Sequence, residues 1–126
     1  MPVNDGVSPV QGSDVMGPTA VLKSVTKVRH GVCADGTLLN QRFSPVFFQD
    51  LKQLQRVAWL VRTYFMLNGM HIQFNIFSAE TLRDAQRHPE KYPNLLVRVA
   101  GYSALFTTLD PKVQDDIISR TEQSSI

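Results

Sequence analysis

The stretch LLVRVAGYSALF, residues 95–106, decides the fold. Its first five residues, LLVRV, are apolar and rich in β-branched side chains, and they read as a strand. Gly101 then stands between that strand and YSALF, where a glycine marks a sharp turn or a close approach of backbone. Taken by itself, Gly101 is a turn glycine. On the upstream side Ser78 can cap a helix over 79–88, with Glu80 in its first turn, and Pro89 and Pro93 force a turn before the strand. On the downstream side Asp110–Pro111 follows the favoured cap-then-proline order and opens a final helix with Val113, Ile117 and Ile118 facing inward.

Further out, MHIQFNI at 70–76 alternates strictly, with Met70, Ile72, Phe74 and Ile76 on one face and His71, Gln73 and Asn75 on the other. That pattern predicts a half-buried strand whose second face is polar. Residues 49–67 carry the strongest helical period, through Leu51, Leu54, Val57, Ala58, Val61 and Phe65, and Asn68–Gly69 supplies a stop. Trp59, Leu60, Tyr64 and Leu67 lie off that stripe, which predicts burial on more than one side and raises the question of what else in the chain covers it. Trp59, Tyr64, Phe65 and Phe74 read as core. TLLNQRF at 37–43 suits an extended segment closed by Pro45. Val21, Val25 and Val28 predict a short helix from Thr19, its N-cap, and the Gly- and Pro-rich residues 1–18 read as loop. Two or three strands among four helices make an α/β or α+β chain, with no internal repeat.

The 126 residues, 43% hydrophobic and 19% charged, are enough for one globular unit. Area scaling gives an unfolded surface of roughly 20,600 Å² against about 6,800 Å² for a compact chain. No apolar run approaches the ~18 residues of a membrane span and no signal peptide is visible, so the expectation is a soluble, cytoplasmic protein. A net charge of +2, evenly dispersed, argues against a nucleic-acid surface, which gathers Lys and Arg on one face.

The single cysteine, Cys33, can form no internal disulfide and cannot alone ligate zinc or an iron–sulfur cluster. His30 is the one imidazole near it in sequence, and an incidental thiol in a turn outweighs a nucleophile. His30, His71 and His88 are isolated, without metal-ligand spacing, and His71 is expected to face solvent. No metal site is expected. The glycines form neither GxGxxG nor GxxxxGK[ST], so no phosphate cradle is indicated.

RVAGYSALF, Arg98 to Phe106, resembles the radical-site motif of glycyl radical enzymes. HPEKYPNLLVRV upstream and VQDDIISRTEQ downstream are similar to the C-terminal end of the same family. DGVSPVQGSDVMGPTAVLKSVTKV, GTLLNQRFSP, LVRTYF and HIQFN extend the similarity from about Asp5 over nearly the whole chain, toward the diol dehydratase and choline trimethylamine-lyase branch. The pyruvate formate-lyase branch and its autonomous repair cofactor usually continue the motif with Ala-Val instead. The fold implied is α/β, the C-terminal portion of a glycyl radical enzyme barrel: residues 1–48 a partial barrel segment, and 49–126 the glycyl radical domain with its loop near 98–106.

By that resemblance Gly101 carries a backbone radical, a protein-derived cofactor, delocalised between amide nitrogen and carbonyl. A side chain at that carbon would oppose planarity and obstruct hydrogen abstraction. The resemblance implies a radical S-adenosylmethionine activating enzyme with a [4Fe-4S] cluster as partner, and Arg98, Val99 and Tyr102 as residues that enzyme grips once the loop leaves its buried position. Each has a structural alternative: Val99 a strand residue, Tyr102 a core aromatic, Arg98 a packed or surface cation.

One departure matters. Complete family members carry a catalytic cysteine in a Gly-Cys-x-Glu type loop on the barrel. Nothing here matches it, and Cys33, followed by Ala-Asp, does not take that role. The expectation is therefore the radical-bearing C-terminal part of an anaerobic lyase, a fragment or split subunit, whose partner is the barrel portion or a full-length enzyme. The alternative is an autonomous glycyl radical cofactor that repairs an oxygen-cleaved enzyme in trans. A binding module with Gly101 as a mere turn is a third, weaker reading. YSALFTTL leans toward the choline-lyase side, and the expected setting is anaerobic cytoplasm or a bacterial microcompartment.

Overall fold

A computed structural model describes residues 6–10, 12–120 and 122–123. Some of the loop reading of 1–18, the start of the resemblance at Asp5, and Thr121 of its last segment lie outside the described residues. The elements run α1 (Pro18–Val25), β1 (Asn40–Phe43), α2 (Leu51–Met66), β2 (Gln73–Asn75), α3 (Ala79–Arg87), β3 (Leu96–Arg98), β4 (Ser103–Leu105), α4 (Pro111–Ser119) and β5 (Glu122–Gln123). Short 3₁₀ turns punctuate the connections.

Helices α3 and α4 start as their sequences predict, while the helix expected from residue 49 begins at Leu51 behind an Asp50 cap. The Asp50 and Asp110 carboxylates accept from the Lys52 and Lys112 amides, and Ser78 Oγ accepts from the Thr81 amide, each satisfying a donor that the first turn leaves open. Asn68, with φ 65°, takes the left-handed position that ends α2. The start of α1 differs from expectation: Gly17 is the N-cap, Pro18 occupies the first turn, and Thr19 lies inside the helix. Proline's fixed φ suits that first position better than a Thr cap one residue later. The helix ends at Val25, so Val28 falls in the following turn and is exposed.

A parallel sheet of order β2-β1-β5 forms the centre, with Asn40 opposite Gln73 and Phe43 opposite Gln123. It joins segments on both sides of residue 48. β3 and β4 make a separate antiparallel hairpin, Leu96 opposite Leu105 and Arg98 opposite Ser103. Five strands are thus present among the described residues where two or three were expected.

The described residues form two apolar cores. The first packs Val21, Leu22 and Val25 of α1 and Val57, Leu60 and Tyr64 of α2 over Leu39, Phe43 and Phe47. The second packs Leu82 and Ala85 of α3 and Ile117 and Ile118 of α4 against Val97, Val99 and Phe106 of the hairpin.

Two amphipathic readings need correction. Only the Val57–Leu60–Tyr64 face of α2 is buried; Leu51, Leu54, Ala58, Trp59 and Phe65 are exposed, Trp59 by 65%. The described elements cover that helix from one side, so neither Trp59 nor Phe65 is core. The accessible surface, 7934 Å², exceeds the ~6,800 Å² of a compact chain of this mass. In MHIQFNI, Ile72 and Phe74 do pack on the first core, but Met70 and Ile76 are exposed while the polar Gln73 and Asn75 are buried, at 9% and 5% exposure. The polar face of β2 looks into the protein because the hairpin's Arg98 gives it partners there.

Candidate functional site around Gly101

The β3–β4 hairpin closes on a two-residue turn, Ala100–Gly101. The Val99 amide donates to the Tyr102 carbonyl at 2.9 Å, and the Phe106 amide to the Leu95 carbonyl at 2.8 Å. Gly101 has φ 73°, a left-handed value at the third position of a four-residue turn, where an L side chain is strained. Space is not the constraint. A Cβ there would come no nearer than 3.6 Å, to Leu38 Cδ1. The glycine is exposed at the tip of the hairpin, with its carbonyl oxygen in reach of Arg98.

Arg98 is the hub of the loop. Its guanidinium donates from Nε to Gln73 Oε1, from Nη1 to Ser103 Oγ at 3.1 Å and from Nη2 to the Gly101 carbonyl at 3.3 Å. Its backbone is held from outside the hairpin by the Asn75 carboxamide, which accepts from the Arg98 amide and donates to the Arg98 carbonyl, both at 2.7 Å. Arg120 Nη1 donates to the Val99 carbonyl at 2.9 Å, fastening the next residue to the end of α4. Val99 is buried in the second core at 7% exposure, whereas Tyr102 is 53% exposed and so is not a core aromatic.

Arg42, on β1, supports the end of α4. It is buried, and its Nη1 donates to the Ile117 and Ile118 carbonyls at 3.1 and 2.8 Å, which satisfies open carbonyls in the last turn of that helix. Burial pulls its pKa below the usual guanidinium value, an effect offset in some measure by Glu122 at 3.9 Å. Glu122 Oε2 in turn accepts from the Ala79 amide at the start of α3.

Sequence reasoning named Gly101, Arg98, Val99 and Tyr102, and the structure brings these together in one hairpin. It missed Gln73, Asn75, Arg120 and Arg42. A signal was present for the first two: the polar residues beside His71 in MHIQFNI are both carboxamides, each donor and acceptor at once, which suits a buried strand face.

The remaining candidates fall elsewhere. His30 is buried, with Nδ1 2.7 Å from Thr37 Oγ1 and Nε2 3.1 Å from the Val25 carbonyl, so its ring is a structural bridge rather than a base for Cys33. The Cys33 thiol contacts the Arg29 carbonyl at 3.8 Å. His71 is half-buried instead of facing solvent, its Nδ1 lacking a hydrogen-bond partner among the described residues. His88 is exposed beside Asp84 and Glu90. Among the described residues no group of three or more His, Cys, Asp or Glu could hold a metal ion, and no helix is long and apolar enough to cross a membrane.

Comparison with known proteins places this geometry. The family profile described as "Glycine radical" matches residues 3–107. Trans-4-hydroxy-L-proline dehydratase of Clostridioides difficile is 52% identical over 98% of this chain and 16% of its own length. The glycerol-bound form of the B12-independent glycerol dehydratase from Clostridium butyricum superposes with a TM-score of 0.94 at 48% identity, over 98% of this chain and 16% of that one. A structure describing 1,2-propanediol dehydration in Roseburia inulinivorans gives 0.93 at 54% identity, over 97% and 15%. The chain therefore spans about a sixth of the length of these relatives. With the profile covering most of its residues and the mixed α/β fold that of the C-terminal region of these enzymes, the chain belongs to the glycyl radical enzyme family and holds its glycine radical domain.

Proposed function

We propose that Gly101 is the residue that stores the radical, and that this chain is the radical-bearing part of a dehydratase acting on a small hydroxylated molecule. The observation that carries the reading is Gly101 at the exposed tip of the RVAGYSALF hairpin, within the family match, in a backbone conformation that favours glycine. Loss of one Cα hydrogen would leave a centre conjugated with its amide and carbonyl. The hydrogen leaves as an atom, taken by a radical S-adenosylmethionine activating enzyme whose [4Fe-4S] cluster supplies the electron for that chemistry. Of the residues proposed to meet that enzyme, Tyr102 is presented outward and the Arg98 guanidinium is partly exposed, while Val99 comes within reach only if the hairpin leaves its seat.

The radical on Gly101 is proposed to generate a thiyl on a cysteine of the barrel portion, where substrate is bound. The large apolar side chains left exposed along α2, Leu51, Trp59 and Met66 at 65–79% exposure, support such a partner, since a group of that kind on one helix is normally covered. Dehydratases acting on hydroxyproline and glycerol among the relatives favour loss of a hydroxyl from the substrate. YSALFTTL keeps a choline trimethylamine-lyase as the competing substrate class. Because dioxygen cleaves a chain at its glycyl radical, the proposed setting is anaerobic, in cytoplasm or a microcompartment.

The test is electron paramagnetic resonance of the chain, incubated anaerobically with reduced activating enzyme and S-adenosylmethionine, with and without the barrel portion. A glycine-centred doublet present in the native protein and lost in Gly101→Ala is expected. A signal that survives Gly101→Ala sinks the assignment. Restored turnover in an enzyme already cleaved at its own radical glycine would favour the repair cofactor over the split subunit.

A further inference from the structure

At Arg98 the outer edge of β3 is met by a side chain instead of by another strand. The Asn75 carboxamide meets the Arg98 amide and carbonyl in the two-bond pattern of a neighbouring peptide. Two residues earlier on β2, Gln73 Oε1 accepts from Arg98 Nε, and Gln73 Nε2 donates to Asn40 Oδ1 on β1. The chain of bonds thus runs from the central strand through Gln73 and the Arg98 fork to the carbonyl oxygen of Gly101. Both carboxamides are nearly withdrawn from water, where a polar group is kept only with its partners in place. The pairing of β2 with β1 runs through backbone and needs neither of them.

We propose that Gln73 and Asn75 are positioning residues for the backbone of Gly101, acting through Arg98. This rests on the reading of Gly101 as the radical residue. Asn75 fixes where the Arg98 backbone stands, and Gln73 fixes how its guanidinium is turned. The guanidinium then donates to the one carbonyl over which a radical at Gly101 is delocalised, drawing spin toward oxygen and holding the peptide plane. Arginine is required for this because its rigid fork serves Gln73, Ser103 and Gly101 at once, which a lysine ammonium on a flexible stem cannot do in the same geometry.

The test uses the full chain and two readouts. Hydrogen exchange, read before activation, is expected to quicken about tenfold at the Arg98 and Val99 amides in Gln73→Leu and Asn75→Leu, the equivalent of one lost hydrogen bond. Amides of α3 should keep their native rates, which separates loosening of the loop from general unfolding. Gln73→Glu, which keeps the acceptor for Arg98 Nε, should stay closer to the native rates than Gln73→Leu. After activation, Gln73→Leu and Arg98→Lys should alter the hyperfine splitting of the glycine signal and shorten its anaerobic lifetime. Exchange and line shape unchanged in Gln73→Leu, with the native signal present, overturn the positioning role alone. No signal in the native protein with the barrel portion added, from an activating enzyme that works on a control substrate, overturns the Gly101 reading and this proposal with it.

Discussion

Replacing Gly101 with alanine separates what the fold asks of this residue from what radical chemistry would ask. The left-handed φ of 73° costs an L residue about 1–2 kcal/mol. Against this, alanine restricts the unfolded chain and returns about 0.4–1 kcal/mol. The new methyl adds no clash, because Leu38 Cδ1 lies at 3.6 Å, ordinary contact distance. The net loss is therefore about 1 kcal/mol, which for a chain of this size lowers Tm by roughly 3–5 °C. Circular dichroism melts and urea titrations of native and Gly101→Ala protein would measure it, with electron paramagnetic resonance on the same samples. The expected result is a folded variant, a few degrees less stable, that forms no glycine-centred signal. A drop beyond about 10 °C would refute the reasoning, since glycine would then be demanded by a steric or strain requirement much larger than that of a single turn position.

Other substitutions probe the scaffold. Arg42→Met should cost about 2–4 kcal/mol in urea unfolding, because two buried carbonyls at the end of α4 lose their donor and Glu122 loses its cationic partner. Gly69→Ala drives a Cβ into the Tyr64 ring and should cost about 1–3 kcal/mol. Combined with Tyr64→Leu, its effect should shrink below the sum of the two single losses, as expected of residues in contact. The Tyr92 hydroxyl donates to Asp84 at 2.8 Å, which holds that carboxyl below its usual value and raises the phenol above its own. Asp84 therefore stabilises the fold above the pKa of an unfolded Asp, an effect lost as pH falls through its lower folded value. Tyr92 stabilises below the pKa of an unfolded Tyr, an effect lost as pH rises through its higher folded value. Tyr92→Phe should flatten the pH dependence of Tm at both ends and remove one late-titrating phenol from the tyrosinate absorbance; a profile unchanged by the substitution would contradict this pairing.

Much of the local structure is legible in the residues. Ser78 and Asp110–Pro111 mark helix starts because a short polar side chain can reach the open amides of its own first turn. The side of a strand or helix that becomes buried is a different matter. The period of MHIQFNI separates Gln73 and Asn75 from Ile72 and Phe74 correctly, but it carries no information about what packs on either face. The Arg98 backbone and guanidinium make the polar face an interior one, and that partner lies more than twenty residues away. The same limit applies to α2, whose apolar residues exceed what the described elements cover. β5 is only Glu122–Gln123, polar and two residues long, and becomes a strand because β1 offers it an edge. Gly101 reads as a turn from its neighbours alone; its connection with radical chemistry came from the resemblance of RVAGYSALF, not from periodicity.

The way the hairpin is attached follows from this division of faces. A strand added to the sheet beside β2 would be held by a ladder of backbone bonds, which no single substitution can remove. β3 instead meets β2 through Asn75 and Gln73, with Arg120 gripping from α4. Its apolar side packs with α3 and α4, in a core separate from the one under α1 and α2. Parting the hairpin and its helices from the sheet would therefore break mainly polar side-chain contacts, groups that water can satisfy, while leaving both apolar cores covered. Val97→Ala, by contrast, cuts into the second core and should lower the stability of the hairpin and helices together, by about 1–3 kcal/mol. Comparing it with Gln73→Leu distinguishes the two attachments: the first should shift the global melt, the second mainly the local exchange of the Arg98 and Val99 amides. Equal effects on the global melt would mean that the carboxamides belong to the cooperative core, and that the hairpin has no separate hold.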